Sequence, residues 1–334
     1  MNYKIPLYET RTFTAKFDNT FEFMKQNWKP YLRFLTYFLL PLSLVQALSL
    51  NTYMQTVSNM QSMNNIKGSG GALLQFLAGC SATAVCSVVG FMLLFAVSYA
   101  LMKEYADRNG DIRNISFAEL KPSLIRMLKR SVAVMAFSVA FAAVVIGLMV
   151  LLGMLFLPLA ILPFFAALAV CIPLMLLYPI YLFEDITMLE AIKKSLGWGF
   201  KTWGGTAAIT FVVSLIIGFA SNLISIPYSM LIMIKGLAGV SSGFSVVANS
   251  PVYIVITYLL GVLSVFASYL GYAIMTVAIA YQYGHAADKL GNMGIMNQID
   301  NFEESVSSNE GNGTHSNGNG SAPQMDEIDD FEKL

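Results

Sequence analysis

Acidic residues are absent from three long stretches of this chain, and the same stretches are almost continuously apolar. No Asp or Glu occurs in 35–101, 132–182 or 203–284, and the only basic residues there are Lys67 and Lys235. Only 12% of the chain is charged, about half the fraction of an ordinary soluble domain. A carboxylate at the centre of a bilayer costs about 3 kcal/mol or more. This segregation therefore indicates a protein whose solvent is hydrocarbon.

A helix needs about 20 mainly apolar residues to cross the hydrocarbon of a bilayer. Six segments meet that requirement, and their apolar character is continuous rather than alternating, which excludes membrane β-strands. The predicted spans are approximately 32–50, 72–102, 132–152, 159–183, 206–234 and 251–283. Prolines within them predict helices that are bent rather than broken. These prolines are Pro41, Pro163, Pro173, Pro179 and Pro227.

The orientation of the spans follows from the positions of Lys and Arg in the loops. If the N-terminus is inside, every basic residue except Lys67 and Lys235 falls on the inner side. The first ~30 residues are charged and lack the apolar core of a cleaved signal peptide. We therefore expect a multi-pass protein of the plasma (inner) membrane with both termini in the cytoplasm. The expected domains are an N-terminal amphipathic segment (1–31), a six-helix domain (32–285) and a disordered acidic tail (286–334).

An amphipathic segment precedes each outgoing hairpin of spans. In the second and third segments, Ser116 with Glu119 and Thr187 with Glu190 have the spacing of capping boxes that start helices. The first segment, beginning near Asp18, departs from that spacing. The pattern predicts an all-α polytopic membrane protein built from three repeats of an interfacial helix followed by a helical hairpin.

Basic and tryptophan side chains gather where these interfacial helices meet the inner boundary of the membrane. Bases there attract anionic lipid, and tryptophan rings prefer the interface. We name this set the collar: Trp28, Lys121, Lys129, Arg130, Lys193, Lys194, Trp198, Lys201 and Trp203. Two interpretations stay open: the helices are connectors that hold the hairpins in place, or the collar recognises lipid or a partner.

The C-terminal segment combines a flexible linker with a short acidic peptide. Residues 305–324 are rich in Ser, Asn and Gly, as in linkers. In 325–334, Ile328, Phe331 and Leu334 would share one face of an otherwise acidic helix. This peptide either docks on a cytosolic protein, folding as it binds, or simply keeps the tail soluble.

One stretch resembles a known group of proteins. Its motifs are Tyr178–Asp185, then Glu190–Ser195 and Trp203, together with Asn27–Pro30 before the first span. They resemble segments of uncharacterised bacterial six-helix membrane proteins that are related to the membrane domain attached to some glycerophosphoryl diester phosphodiesterases. The resemblance implies a six-helix fold. It does not imply phosphodiesterase activity, because the soluble catalytic domain of those enzymes has no counterpart in this sequence.

Residues able to support catalysis are scarce. The two histidines, His285 and His315, have no companion ligands at HExxH spacing, and the three cysteines lie in apolar segments without a CxxC pair. The adjacent carboxylates Glu184 and Asp185 fit helix capping better than acid–base chemistry. We therefore expect no catalytic, cofactor-binding or metal-binding residues. A zero net charge with an acidic C-terminal region also argues against nucleic acid as a partner.

These patterns favour a non-catalytic membrane scaffold or envelope-associated protein whose partners are membrane lipids and a cytosolic protein bound through the tail. The alternative is a transporter or permease-like component for a neutral or amphipathic molecule. A continuous polar cavity would favour transport, whereas a tightly packed bundle would favour the scaffold. A pocket shared by His285, Glu184 and Asp185 would indicate an enzyme.

Overall fold

The computed structural model describes residues 4–62, 70–108, 110–237, 242–296 and 299. Over these residues the chain is helical and contains no strand, and six helical segments are long and apolar enough to cross a membrane. The prediction of an all-α polytopic membrane protein is therefore confirmed. Residues 1–291 form the helical body, and 292–334 form a separate unit.

The helices of the body follow the predicted spans, with extensions at the ends. A short 3₁₀ helix, Leu157–Ala160, precedes α4. The α-helices are α1 (Phe13–Ser62), α2 (Gly70–Asp107), α3 (Phe117–Leu155), α4 (Ile161–Leu174), α5 (Leu177–Phe183), α6 (Met188–Lys201), α7 (Trp203–Leu237), α8 (Ser242–Ala248) and α9 (Pro251–Gly291). The hairpins are α1 with α2, α3 with α4 and α5, and α7 with α9. Helix α8, between α7 and α9, was not predicted.

A hydroxyl side chain caps the start of each interfacial helix. The predicted capping boxes are both formed: Ser116 Oγ accepts from the backbone N–H of Glu119 at 3.3 Å, and Thr187 Oγ1 accepts from that of Glu190 at 3.4 Å. In the first unit the helix begins before Asp18. There Thr12 Oγ1 accepts from the backbone N–H of Ala15 at 3.3 Å. All three units therefore start in the same way.

The repeat extends to the junction between interfacial helix and span. Fifteen positions after each cap lie Asn27, Ser131 and Thr202. Asn27 has φ −117° and ψ 16°, and Thr202 has φ −113° and ψ 19°, so the first and third units break at equivalent residues with nearly the same backbone geometry. Helix α3 runs through Ser131 as one continuous helix. The middle unit thus keeps the repeat but loses the break.

The fourth span is interrupted, which corrects the prediction of bent but unbroken helices. Pro173 lies in the last turn of α4, and Met175 and Leu176 form a turn before α5 begins. Pro173 has no N–H to donate to the carbonyl of Ala169, and Pro179 has none to donate to that of Met175, so backbone hydrogen bonds are missing on both sides of this turn. Pro41 and Pro227, in contrast, lie inside the continuous helices α1 and α7.

Side chains of neighbouring helices donate to two carbonyls of the proline-containing turn, one of which has lost its donor to Pro173. The carbonyl of Ala169, four residues before the proline, accepts from Trp203 Nε1 at 3.2 Å, and the carbonyl of Pro173 accepts from Ser195 Oγ at 2.8 Å. Gly199 lets α6 approach closely, because a Cβ there would lie 2.5 Å from Pro173 Cα. Helices α6 and α7 thus brace the bend of the fourth span.

The packed core lies towards one end of the body and is rich in aromatic residues. The largest buried cluster joins α1, α2, α5, α9 and the start of α3, and includes Phe23, Tyr99, Tyr105 and Tyr281. Half of the most apolar window of α2 is buried, but only 6% of that of α3. An apolar surface as extensive as that of α3 is expected to face lipid rather than water.

Candidate functional site

Segments that the topology prediction assigns to one side of the membrane meet at one end of the body. The backbone N–H of Ile5 donates to Tyr105 Oη at 3.0 Å, and Arg33 donates to the carbonyl of Ile115. The N-terminal segment, the α2–α3 loop, the α5–α6 loop and the end of α9 all lie here. We call this region the charged end. Which side of a membrane it faces stays a prediction.

The N-terminal segment is fixed to α9 through Arg11 and His285. The backbone N–H of Arg11 donates to Nδ1 of His285 at 3.0 Å. A ring nitrogen that accepts a hydrogen bond is unprotonated, so the imidazole is neutral in this arrangement. The buried guanidinium of Arg11 donates to Glu9 at 2.6 Å and lies 5.3 Å from the centre of the Tyr281 ring. His285 therefore serves to hold the segment in place.

The carboxylates that could have formed an enzyme site have separate structural partners. Glu184 accepts from Lys194 Nζ at 2.5 Å and from the hydroxyl of Tyr283 at 3.0 Å. Its neighbour Asp185 accepts from Arg126 and Arg130. The pKa of Asp185 is held below its usual value mainly by the hydrogen bond from Arg126. The described geometry thus gives Glu184, Asp185 and His285 three different sets of partners.

The collar divides into residues that are exposed and residues that are engaged within the protein. Arg130 donates to Asp185 at 2.9 Å and to the carbonyl of Ile186 at 3.0 Å, and Lys194 lies 4.2 Å from the ring centre of Trp198. These three members therefore stabilise the fold. The exposed members are Trp28, Lys121, Lys129, Lys193, Lys201 and Trp203. Trp203 is both exposed and engaged within the protein, because its indole nitrogen donates to the carbonyl of Ala169 in α4.

Sequence reasoning missed a buried polar contact that joins three helices at the charged end. Lys16 is only 4% exposed, and its ammonium donates to Gln282 Oε1 at 2.8 Å. Gln282 donates in turn to Thr206 Oγ1 at 3.0 Å. The sequence carried a signal for this burial. Lys16 falls at helical spacing with Thr20, Phe23 and Asn27, all of which are buried.

A second feature that the sequence did not predict is an apolar cavity of about 560 Å³. It lies among α2, α3, the α4–α5 segment and α9, within the predicted membrane spans. Its walls are mainly aromatic and aliphatic, with a few polar groups such as the hydroxyls of Ser138 and Tyr178. Representative lining residues are Phe95, Tyr99, Phe137, Phe141, Cys171 and Met275.

Some of the residues named in the sequence analysis lie outside the described part of the chain. The candidate docking residues of the tail, Ile328, Phe331 and Leu334, lie outside the described residues, as does Lys67. Within the described ranges, no three His, Cys, Asp or Glu side chains are grouped so that they could hold a metal ion.

Comparison with known proteins adds no relative. No family model matches the chain, and neither a curated protein nor a solved structure matches it.

Proposed function

We propose that this integral membrane protein is a non-catalytic scaffold that acts through lipid contact at its charged end. The observation that carries this proposal is the set of six exposed collar residues. Trp28 and Trp203 occupy equivalent positions, each directly after the break residue of its unit, and they are 52% and 40% exposed. Amphipathic rings in such repeated positions favour a common membrane boundary.

The charges of the collar support the same function. Each base close to an anionic membrane surface contributes about 1 kcal/mol of attraction. Four exposed lysines, Lys121, Lys129, Lys193 and Lys201, therefore contribute about 4 kcal/mol together. Salt should weaken this attraction, because exposed charges are screened over about 8 Å at physiological ionic strength.

Replacing the four exposed lysines by glutamine tests the proposal. The wild type in nanodiscs of mixed phosphatidylglycerol and phosphatidylcholine should retain an excess of the anionic lipid, measured by mass spectrometry after purification. The variant should lose most of that excess, and high salt should reduce it in the wild type. Lys235→Gln, which changes a base outside the collar at the C-terminal end of α7, is the matched control. An unchanged excess in the fourfold variant would contradict the proposal.

The proposal includes a plasma (inner) membrane location with both termini in the cytoplasm. The distribution of bases in the loops supports this orientation. Cysteines placed at Lys193 and Lys235 of a cysteine-free protein should be labelled from opposite faces of sealed vesicles. A reporter fused after Leu334 should work only on the cytoplasmic side. Labelling of both positions from one face would refute the topology.

We also propose that the acidic tail docks on a cytosolic protein. The spacing of Ile328, Phe331 and Leu334 supports it. Deletion of 325–334 should remove a specific co-purifying protein, and a deletion of equal length within the linker 305–324 should not. If both deletions leave the same set of proteins, the tail only adds solubility.

A second candidate function is carriage of a neutral or amphipathic molecule. The cavity is apolar and not the continuous polar cavity expected for transport, but its position beside the interruption between α4 and α5 favours an amphipathic cargo. Reconstituted vesicles containing a fluorescent short-chain lipid distinguish the two. A carrier would speed exchange of the probe between leaflets. The scaffold proposal expects the rate of protein-free vesicles.

A further inference from the structure

The apolar cavity has the dimensions of a ligand site that lies within a single leaflet. Its volume of about 560 Å³ falls within the usual range of ligand pockets, roughly 300–1,000 Å³. On α3 its lining extends from Val134 to Ile146. At 1.5 Å per residue this is about 18 Å, slightly more than half of the ~30 Å hydrocarbon thickness. The cavity is therefore as deep as one leaflet.

The wall chemistry selects a hydrocarbon occupant. The cavity is partly open and is lined by Phe91, Phe95, Phe141 and other apolar side chains from four predicted spans. Unfilled apolar space forfeits dispersion contacts with the atoms that line it. Around a helix such as α3, whose outer surface is exposed and apolar, the abundant groups able to supply those contacts are acyl chains.

Cationic groups lie one helical turn beyond the cavity, towards the charged end. Arg130 is four residues before Val134 and so shares its face of α3. On α5, Tyr181 lies three residues after the lining residue Tyr178, and its ring centre is 4.2 Å from Arg130 Cζ. The two helices that flank the cavity thus place a guanidinium and an aromatic ring together above it.

The charge at this position is not balanced by the residues that hold it. Arg126 and Arg130 both donate to the single carboxylate of Asp185, which leaves an excess positive charge. Asp185 is 74% exposed and Arg126 is 39% exposed, so water and headgroups can reach the pair. Within the described part of the chain, Nε of Arg130 is buried and has no hydrogen-bond partner. A phosphate oxygen would instead meet the exposed part of the pair, chiefly the guanidinium of Arg126, with which it forms strong charge-assisted hydrogen bonds.

We propose that the cavity binds one acyl chain of an anionic phospholipid, whose phosphate group binds Arg126 and Arg130. The second chain stays in the bilayer against α3. This assignment rests on the proposed lipid-contact function. It differs from that function because it places one lipid at a defined site, whereas the collar attracts anionic lipids collectively.

The test uses the full-length protein in nanodiscs with phosphatidylglycerol carrying a photoreactive group on its acyl chain, and the matching phosphatidylcholine. Cross-links are located by mass spectrometry. Phosphatidylglycerol should label the cavity-lining peptides of α2, α3 and α4 above the level found on the outward surface of α3. Equal labelling of lining and outward peptides would overturn the proposal, as would equal labelling of the lining by both lipids.

Two neighbouring alanines on α3 provide a matched pair. Ala142 and Ala143 are both exposed, but only Ala142 is among the residues that line the cavity. Ala142→Phe should abolish labelling of the lining peptides, and Ala143→Phe should leave it unchanged. The outer position also controls for any effect of a phenylalanine on helix α3. Persistence of the labelling in Ala142→Phe would rule out occupancy of this cavity.

The headgroup contact is tested separately. Arg126→Gln changes the more exposed arginine and should lower the preference for phosphatidylglycerol at the lining peptides about fivefold. Arg126→Lys should restore part of it. The fourfold collar variant should lose the general anionic excess but keep the labelling of the cavity. If the fourfold variant keeps its general anionic excess, the proposed function is refuted but this site is not. If the collar result is as expected but the cavity lining is not labelled preferentially, this site is refuted and the proposed function is not. An Arg126→Gln protein with full lipid preference would contradict the phosphate contact.

Discussion

Gly197 and Gly199 lie two positions apart in α6, and substitution by alanine should change the stability of the protein in opposite directions at the two sites. A Cβ at Gly199 would lie 2.5 Å from Cα, 2.6 Å from Cβ and 2.9 Å from the carbonyl oxygen of Pro173. Two of these atoms belong to the backbone, which cannot rotate away as a side chain can. A Cβ at Gly197 would meet no atom of the described residues within 4 Å. Gly199→Ala therefore forces α6 away from α4, and Gly197→Ala does not.

The magnitude follows from two opposing effects. Alanine stabilises the interior of a helix by about 1 kcal/mol relative to glycine, and both variants gain this amount. Overpacking a tight contact costs about 1–3 kcal/mol, and only Gly199→Ala pays this cost. We expect Gly197→Ala to stabilise the protein by up to about 1 kcal/mol, with Gly199→Ala lower than it by about 1–3 kcal/mol.

Unfolding in mixed micelles with increasing dodecyl sulfate measures this difference. The fluorescence of Trp198 and Trp203 reports on α6 and its junction with α7. Ser195→Ala adds an independent check, because it removes the 2.8 Å hydrogen bond to the carbonyl of Pro173. That carbonyl keeps the N–H of Leu176 as a donor, so the change should cost about 0.5–1.5 kcal/mol. Combined with Gly199→Ala it should cost less than the sum, since both changes act at Pro173. If Gly199→Ala is as stable as Gly197→Ala, the close contact between α6 and α4 is refuted.

Three further predictions concern other contacts. Trp203→Phe should destabilise the protein by about 1 kcal/mol more than Trp28→Phe, because only Trp203 donates to a carbonyl that a proline leaves unpaired; dodecyl sulfate titration of both variants measures this. Since the pKa of Asp185 is lowered by the hydrogen bond from an arginine, its contribution is present above about pH 4 and lost as the pH falls further. The stability difference between wild type and Asp185→Asn, under about 1 kcal/mol for so exposed a pair, should therefore shrink on acidification, and a growing difference would contradict this. Gly284→Ala should displace the N-terminal segment, whose Leu7 carbonyl lies against that glycine, and speed proteolysis of residues 4–12 relative to Gly218→Ala.

The sequence predicted those features that depend on local composition. The six spans follow from the cost of charge in hydrocarbon, and the capping boxes at Ser116 and Thr187 follow from a spacing that only a helix start satisfies. The first unit shows the limit of such signals. Thr12 caps its helix without a glutamate three residues later, so no capping box marks this start, and the predicted segment began too late, near Asp18.

Contacts between distant segments could not be read from the sequence. The sequence assigned Arg130, Lys194 and Trp198 to the collar by position, but the structure engages them with the α5–α6 loop and with each other. Which base pairs with a carboxylate depends on how helices pack, and spacing along one helix does not encode it. The apolar cavity is hidden for the same reason, since its walls come from four separate spans.

The interruption of the fourth span links the two lipid-facing features of the molecule. Proline removes a donor from a helix in a medium that cannot replace it, so a neighbouring helix must supply the partner. Here α6 supplies Ser195 and the start of α7 supplies Trp203, and both belong to the unit that carries Lys193 and Lys201. The same α4–α5 segment forms one wall of the apolar cavity. A force on the collar that moves α6 must therefore also act on the cavity wall, because the hydrogen bonds that brace the bend run through α6. This coupling runs through the position of α6 and not through the collar charges, so the fourfold collar variant, which keeps both bracing hydrogen bonds, should keep the labelling of the cavity.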